Sequence, residues 1–336
     1  MSFKKLDQED ISISADSIVA PAWSTGTVEM TLFYTSSTQT NGSSGDFYYK
    51  VYDKNINTDT TATTQFSIAF GNKQGSGSVA YNASAVGKSP SSTIYGQYRS
   101  LVFGDEGTDF TFGTKTQDSF YAITVDRSRY KEKLLPGTFN LTLSGSGDSI
   151  LSLTDNSLNT TVVTYADAGR VYEIVSGSNG AAYSGTGYTT DSGSYGKFLP
   201  DVGVILLNAK ALDLTTFQGI SLGTDLTSNA DGLNPGKLYN AISLGQSFKL
   251  QSEETVSSNY VFVRVRNSEF NYSTNPSNIS GSGELLHNIM VNSPQAYITT
   301  VGLYNNNNDL LGVAKLSKPL LKDFTKEALV RIKLDY

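Results

Sequence analysis

The sequence predicts a mainly β protein: sandwich-like or meandering antiparallel sheets, one or two short helices and an extended N-terminal arm. The 336 residues include 31 glycines and 20 tyrosines with abundant Ser, Thr and Asn, a composition of strands and turns with little continuous helix. The apolar residues also fall in short β-branched or aromatic runs broken by polar turns. The reading divides the chain into an arm over 1–35, a β-rich domain over 36–135 and a sandwich-like domain over 136–336 that ends in a three-strand segment.

In the arm, Ile11-Ser12-Ile13-Ser14 alternates, Pro21 interrupts, and 28–34 alternates less cleanly. Trp23, the single tryptophan, has two readings of equal weight: an anchor in the core, or a hot spot inserted into a neighbouring subunit. The Ser/Thr/Asn/Gly run over 35–45 predicts a loop, with strands following over 46–53 and 65–71. Gly71 to Gly77 lacks the Gly-Lys-Ser/Thr ending of a phosphate loop and reads as a turn.

Ser89-Pro90 is a helix start, Ser as cap and Pro in the first turn. Apolar residues at Ile94, Tyr95, Tyr98, Leu101 and Val102 then recur every three to four positions, so a helix is predicted near 89–103 with Gly104 as its stop. Asp105, Glu106 and Asp109 sit in a glycine-broken loop; solvated turn charges are favoured over a hard-cation site, and the spacing is not that of an EF-hand.

A central strand is predicted over 120–125, and a charged link over 126–133 reads as a screened surface ahead of ionic subunit contacts. Short strands follow over 139–143, 150–153, 161–165 and 171–175. The low-complexity stretch 176–196 reads as a loop whose Tyr188 and Tyr195 adapt to a partner, since Tyr among Ser and Gly joins rigid contact area to a pliant backbone. Val202 to Leu207, the most hydrophobic run, belongs inside a sheet, and a second helix is expected over 236–244. The strand 260–266 puts Arg264 and Arg266 on one face, exposed or paired with carboxylates of a neighbour.

Composition excludes much chemistry. Without cysteine there are no disulfides, thiolate nucleophiles or Cys-ligated metals. The single histidine, His287, denies the chain His-pair metal sites and histidine relays, and reads as a surface or turn residue. Twenty-five Lys and Arg against 31 Asp and Glu leave a net charge of -6, opposite to the balance of nucleic-acid-binding domains. No run approaches the roughly 20 apolar residues of a membrane span. The opening turns acidic before any apolar stretch, so no secretory signal is expected.

The last forty residues are the most distinctive. Tyr297-Ile298-Thr299-Thr300-Val301-Gly302-Leu303-Tyr304 and Leu310-Leu311-Gly312-Val313-Ala314-Lys315-Leu316 flank the turn Asn305-Asn306-Asn307-Asn308-Asp309, a hairpin pattern. A third strand over 328–336 alternates Leu329, Arg331, Lys333 and Asp335 with Val330, Ile332 and Leu334, one face wet and one buried. This arrangement, with Lys318-Pro319-Leu320 after it, resembles a segment recurring in tail-tip and baseplate proteins of contractile-tailed bacteriophages. The resemblance is sharpest over 260–336, including Phe270 to Ser277, and looser over 129–139 and 202–208.

The resemblance implies a static assembly role without catalytic residues. The expected function is therefore that of a non-enzymatic structural component of a bacteriophage virion, in the tail or baseplate, assembled in the host cytoplasm. Its expected partners are other virion proteins and copies of itself, with no nucleic acid, membrane, cofactor or metal. Interface residues are expected at Trp23, Tyr188, Tyr195, Arg264, Arg266 and Tyr304. A receptor- or carbohydrate-binding adhesin module is the alternative, since tyrosine-rich loops on β scaffolds also serve that purpose. No nucleophile elbow, Walker loop, dinucleotide fingerprint or zinc motif appears, which disfavours an enzyme.

Overall fold

The computed structural model describes residues 4–36, 48–78, 89–145, 149–183, 190–215, 218–227, 233–273 and 275–335. The chain is mainly β and antiparallel. The early strands are β1 (Ile11–Pro21), β2 (Glu29–Met30), β3 (Tyr48–Tyr52), β4 (Thr64–Asn72), β5 (Thr111–Phe112), β6 (Lys115–Thr116) and β7 (Ser119–Val125). Then come β8 (Lys133–Leu134), β9 (Asn140–Ser144), β10 (Ile150–Asp155), β11 (Thr164–Ala166), β12 (Gly169–Ser178), β13 (Ala181–Ala182), β14 (Gly196–Leu199) and β15 (Val204–Asn208). The last are β16 (Ser247–Lys249), β17 (Gln251–Val265), β18 (Ala296–Tyr304), β19 (Leu310–Lys322) and β20 (Ala328–Asp335). Among the described residues four helices join them: α1 (Pro90–Phe103), α2 (Ala209–Asp213), α3 (Leu233–Gly245) and α4 (Ile289–Asn292).

Two compact units emerge: a central one, 18–254, and a terminal one built from both chain ends, 1–17 with 255–336. The boundary expected at 135/136 falls inside the central unit, because β9 to β15 belong to the same sheet as β4 and β7. Nor is 1–35 a separate arm. Ala22, Trp23, Met30 and Phe33 are all buried in the central core, and the β1 stretch before them is extended and largely exposed.

The central sheet runs β2-β16-β9-β10-β12-β14-β15-β7-β4-β3, with β11 and β13 paired to β12 off that path. It curls until its ends meet: just past β2, Tyr34 bridges Tyr52 of β3, exchanging N–H···O bonds of 3.2 and 2.8 Å. Strict alternation then separates two faces. From β7 and β15, Tyr121, Ile123, Ile205 and Leu207 enter the inner core with Phe66, Phe139, Phe198 and Phe248, where α3 adds Leu238 and Ile242. Phe120, Ala122, Val204 and Leu206 point the other way, into a second core under α1 with Tyr95, Phe110 and Phe112. The run 202–207 is hydrophobic throughout because its strand is covered on both sides.

The start and stop signals for α1 hold in place, but Ser89 does not cap it with its side chain, whose hydroxyl donates to Gly75 O at 2.7 Å. Ser89 is the extended residue before it, Pro90 starts it, and Gly104 ends it in the left-handed conformation (φ 66°), its N–H bonded to Ser100 O at 3.0 Å. Gly71 on β4 lets the helix sit close, since a Cβ there would stand 3.3 Å from the Tyr95 Cα. Two helices become four. α2 and α4 span five and four residues, too short to leave a periodicity, and α3 begins three residues before the predicted start.

In the terminal unit β17 pairs antiparallel with β20 from Ser258↔Asp335 to Val265↔Ala328, with β1 on the other side of β17. A second layer is the β18–β19 hairpin. Val261, Val330 and Ile332 are its buried centre, against which Leu6, Val263, Val301, Leu303, Ala314 and Leu316 pack. Lys322 is buried here as well, its ammonium donating to Asn267 O (3.0 Å), Asn271 Oδ1 (2.6 Å) and Asp323 O (2.8 Å).

Candidate interaction surface

Several charged groups of the central unit hold its loops. Asp105 accepts from Gly107 N and Thr108 N, closing its turn, and Asp109 pairs with Lys73 at 2.7 Å. Arg170 grips Asp201 through Nε and Nη2 at 3.1 and 2.6 Å, and the same carboxylate accepts from Arg170 N. Burial pushes the Asp201 pKa up, but the bonds from Arg170 outweigh it and hold the group below its ordinary value. Asp155 goes the other way: burial holds its pKa above the ordinary value even though Gly137 N and Ser157 N donate to it.

These arrangements are structural. Asp155 is fully buried, out of reach of a substrate, and among the described residues no three His, Asp or Glu side chains gather into a cation site. A shallow cleft of about 320 Å³ beside α1 is lined by Lys73, Ser92, Tyr95, Gly96, Arg99 and Glu106. Its Ser92 hydroxyl donates to Ser89 O at 2.8 Å. No helix among the described residues is long and apolar enough to cross a membrane.

The terminal unit presents a different surface. Asn305 shapes the hairpin turn, its Oδ1 accepting from Asn307 N (2.9 Å) and Asp309 N (2.8 Å), while Asn308 takes the left-handed conformation (φ 65°) that asparagine tolerates. The strands alternate: Val301, Leu303, Ala314 and Leu316 face the thin core, so Gly302 and its partner Val313 face away. Without a side chain at 302, the Tyr304 ring lies across that position. Tyr304, Leu310, Leu311 and Val313 are exposed, Leu311 and Val313 by 70% and 59%. From 296 to 304 and from 310 to 317 the only charged residue is Lys315.

Among the described residues the terminal unit exposes seventeen large hydrophobics and buries four, Val261, Val265, Val330 and Ile332, with the small Ala328 beside them. Its charges balance, ten Lys and Arg against ten Asp and Glu, so the net charge of -6 belongs to the central unit.

The residues singled out from sequence do not converge. Trp23 and Tyr195 are inside the central core: the Trp23 indole donates to Phe248 O at 2.9 Å, and the Tyr195 hydroxyl donates to Gln218 O at 2.7 Å. An amphipathic ring with a buried carbonyl in reach is satisfied within its own chain, so both belong to the core and not to an exposed interface. Tyr188 lies outside the described residues. Arg264 is exposed and pairs with Glu327 of the same chain at 2.7 Å, and Arg266 is exposed beside it. Tyr304 alone belongs to the apolar hairpin face. Tyr297, Leu311 and Val313 were missed, although the alternation of Leu311, Val313 and Lys315 was there to mark a second face. His287 is exposed, its carbonyl accepting from Met290 N.

No protein-family model matches the chain, and neither a curated protein nor a solved structure does.

Proposed function

We propose that the protein is a non-enzymatic building block of a bacteriophage virion, in the tail or baseplate, acting through its subunit interfaces. One observation carries the assembly reading: the terminal unit exposes far more large apolar side chains than it buries. Soluble monomers seldom leave such surface uncovered, and a larger particle would cover it. The assignment to a tail or baseplate rests on the sequence resemblance over 260–336. The acidic groups support a passive role, since the perturbed Asp155 and Asp201 are engaged in holding loops.

The test is mass spectrometry of particles purified from the host that produces this chain, with cross-linking before digestion. The protein is expected at stoichiometric abundance, with cross-links to other virion proteins from lysines of the terminal unit. Its absence from purified particles would overturn the reading, as would turnover of a substrate that a single Asp or Glu substitution abolishes.

A further inference from the structure

We infer that the outward face of the β18–β19 hairpin is a self-association surface, occupied by the same face of a second copy of this chain. The inference rests on the building-block reading and deepens it by naming the partner.

Three observations point to a copy of the same chain. The first is size. Tyr297, Tyr304, Leu310, Leu311 and Val313 are all exposed on the hairpin. At about 60 to 120 Å² of apolar area apiece they offer roughly 300 to 600 Å², most of the ~800 Å² per partner of a standard stable interface once backbone and polar rim are added.

The second is charge. An isologous interface brings each patch onto itself, so a patch or unit of one sign repels its own copy. Here the unit as a whole is neutral, and over 296–304 and 310–317 the hairpin strands carry a single charge, Lys315. A two-fold axis passing near Gly312 sets Lys315 opposite Asp309 of the other copy, since both are three positions from that glycine. The face is thus complementary to itself. The acidic central unit would meet its own copy with like charge.

The third is the hairpin's own stability. A two-stranded sheet is marginal in water and needs further apolar cover. The layer beneath supplies a buried centre of only Val261, Val330 and Ile332. Cover on the outward side completes what the thin inner core begins.

The experiment is analytical ultracentrifugation of the full chain over a concentration series, for wild type, Val313→Asp, Leu311→Asp and Tyr165→Asp. Tyr165, 72% exposed in the central unit, is the control for an apolar-to-acid change elsewhere. Wild type and the Tyr165 variant are expected to self-associate. The Val313 and Leu311 variants are expected to weaken association about thirty-fold or more with unchanged circular dichroism. Adding Lys315→Asp to Asp309→Lys should restore what either alone weakens, a readout that mere misfolding would not give.

A wild-type chain that stays monomeric assigns the face to a different chain and overturns the inference, leaving particle incorporation to judge the building-block reading. Association that both hairpin variants retain also overturns it, because the contact then lies elsewhere.

Discussion

The central and terminal units are made by the same chain and from the same kinds of strand, yet they keep water out in opposite ways. In the central unit the sheet curls on itself, so each strand has an inside, and α1 covers part of the outside. Among the described residues thirty-three buried side chains form its inner cluster and eleven its outer one. The terminal unit lays a hairpin on a short sheet, and three residues form the cluster between the layers. Curling turns one long sheet into a container; two narrow open layers have too little facing area to do so, whatever their sequence. Stability in the first unit therefore rests on side-chain packing, and in the second on turns, strand pairing and a few anchored polar groups.

The largest effect that would separate the two is Trp23→Ala. Its ring meets Phe248 edge-on at 4.9 Å and Phe66 at 6.0 Å, and its N–H satisfies a buried carbonyl. Truncation leaves a cavity in the inner core, at an expected cost of about 3–5 kcal/mol in a denaturant titration followed by circular dichroism. A loss under 1 kcal/mol would mean that the inner cluster is not the source of the central unit's stability.

Lys322→Met is the counterpart in the terminal unit. It keeps the apolar stem and removes three donated bonds at once: Asn271 Oδ1 loses its partner, while Asn267 O keeps its bond from Asn271 Nδ2 and Asp323 O its longer one from Lys326 N. The expected cost is about 2 kcal/mol, with faster amide exchange over 267–273 and no change in the central strands. Protection that stays the same over that loop would show that packing, not the ammonium, holds it.

Acid offers a third, smaller contrast. The Asp201 pKa is lowered in the folded state, so its bonds to Arg170 add stability that is fully present above the unfolded value of 3.8 and is lost as pH falls through the folded pKa. Asp201→Asn should cost about 1 kcal/mol at neutral pH and lose less than wild type on acidification below about pH 4. Asp155 has the reverse sign: its raised pKa penalises the fold at neutral pH, and protonation relieves it. In Asp155→Asn the acid-side relief should vanish. Equal acid profiles for wild type and both variants would remove these carboxyls from the account.

Where the sequence was legible and where it was not follows the same division. Local chemistry could be read: Ser89-Pro90 and Gly104 bracket α1, the asparagines after Tyr304 make a turn, and the run 202–207 lies within the sheet. The β class followed from those runs. What could not be read was pairing between distant segments, which no local pattern encodes. The contact between Tyr34 and Tyr52 closes the sheet, and the return of residues 255–336 to the first seventeen makes a unit from both ends. Trp23 illustrates the cost: an aromatic in an apparent arm has the same local sequence whether the next layer is its own chain or another.

The smallest expected effect lies within α1, the helix the sequence marked best. Gly96 is in the middle of it, and no atom stands within 4 Å of where its Cβ would be. Alanine there meets no obstacle and reduces the freedom of the unfolded chain, so Gly96→Ala should stabilise by about 0.8 kcal/mol. For a unit of this size that is a rise in Tm of roughly 2–3 °C. Gly104, eight residues on, would respond with the opposite sign. Its φ of 66° is strained for alanine, and a Cβ would collide with the Asp167 carboxylate, so Gly104→Ala should lower Tm by at least a similar amount. Calorimetry on the two single variants distinguishes a helix open along one side from one packed along its whole length: if both lower Tm, the space beside Gly96 is not open in solution and α1 is packed along its whole length.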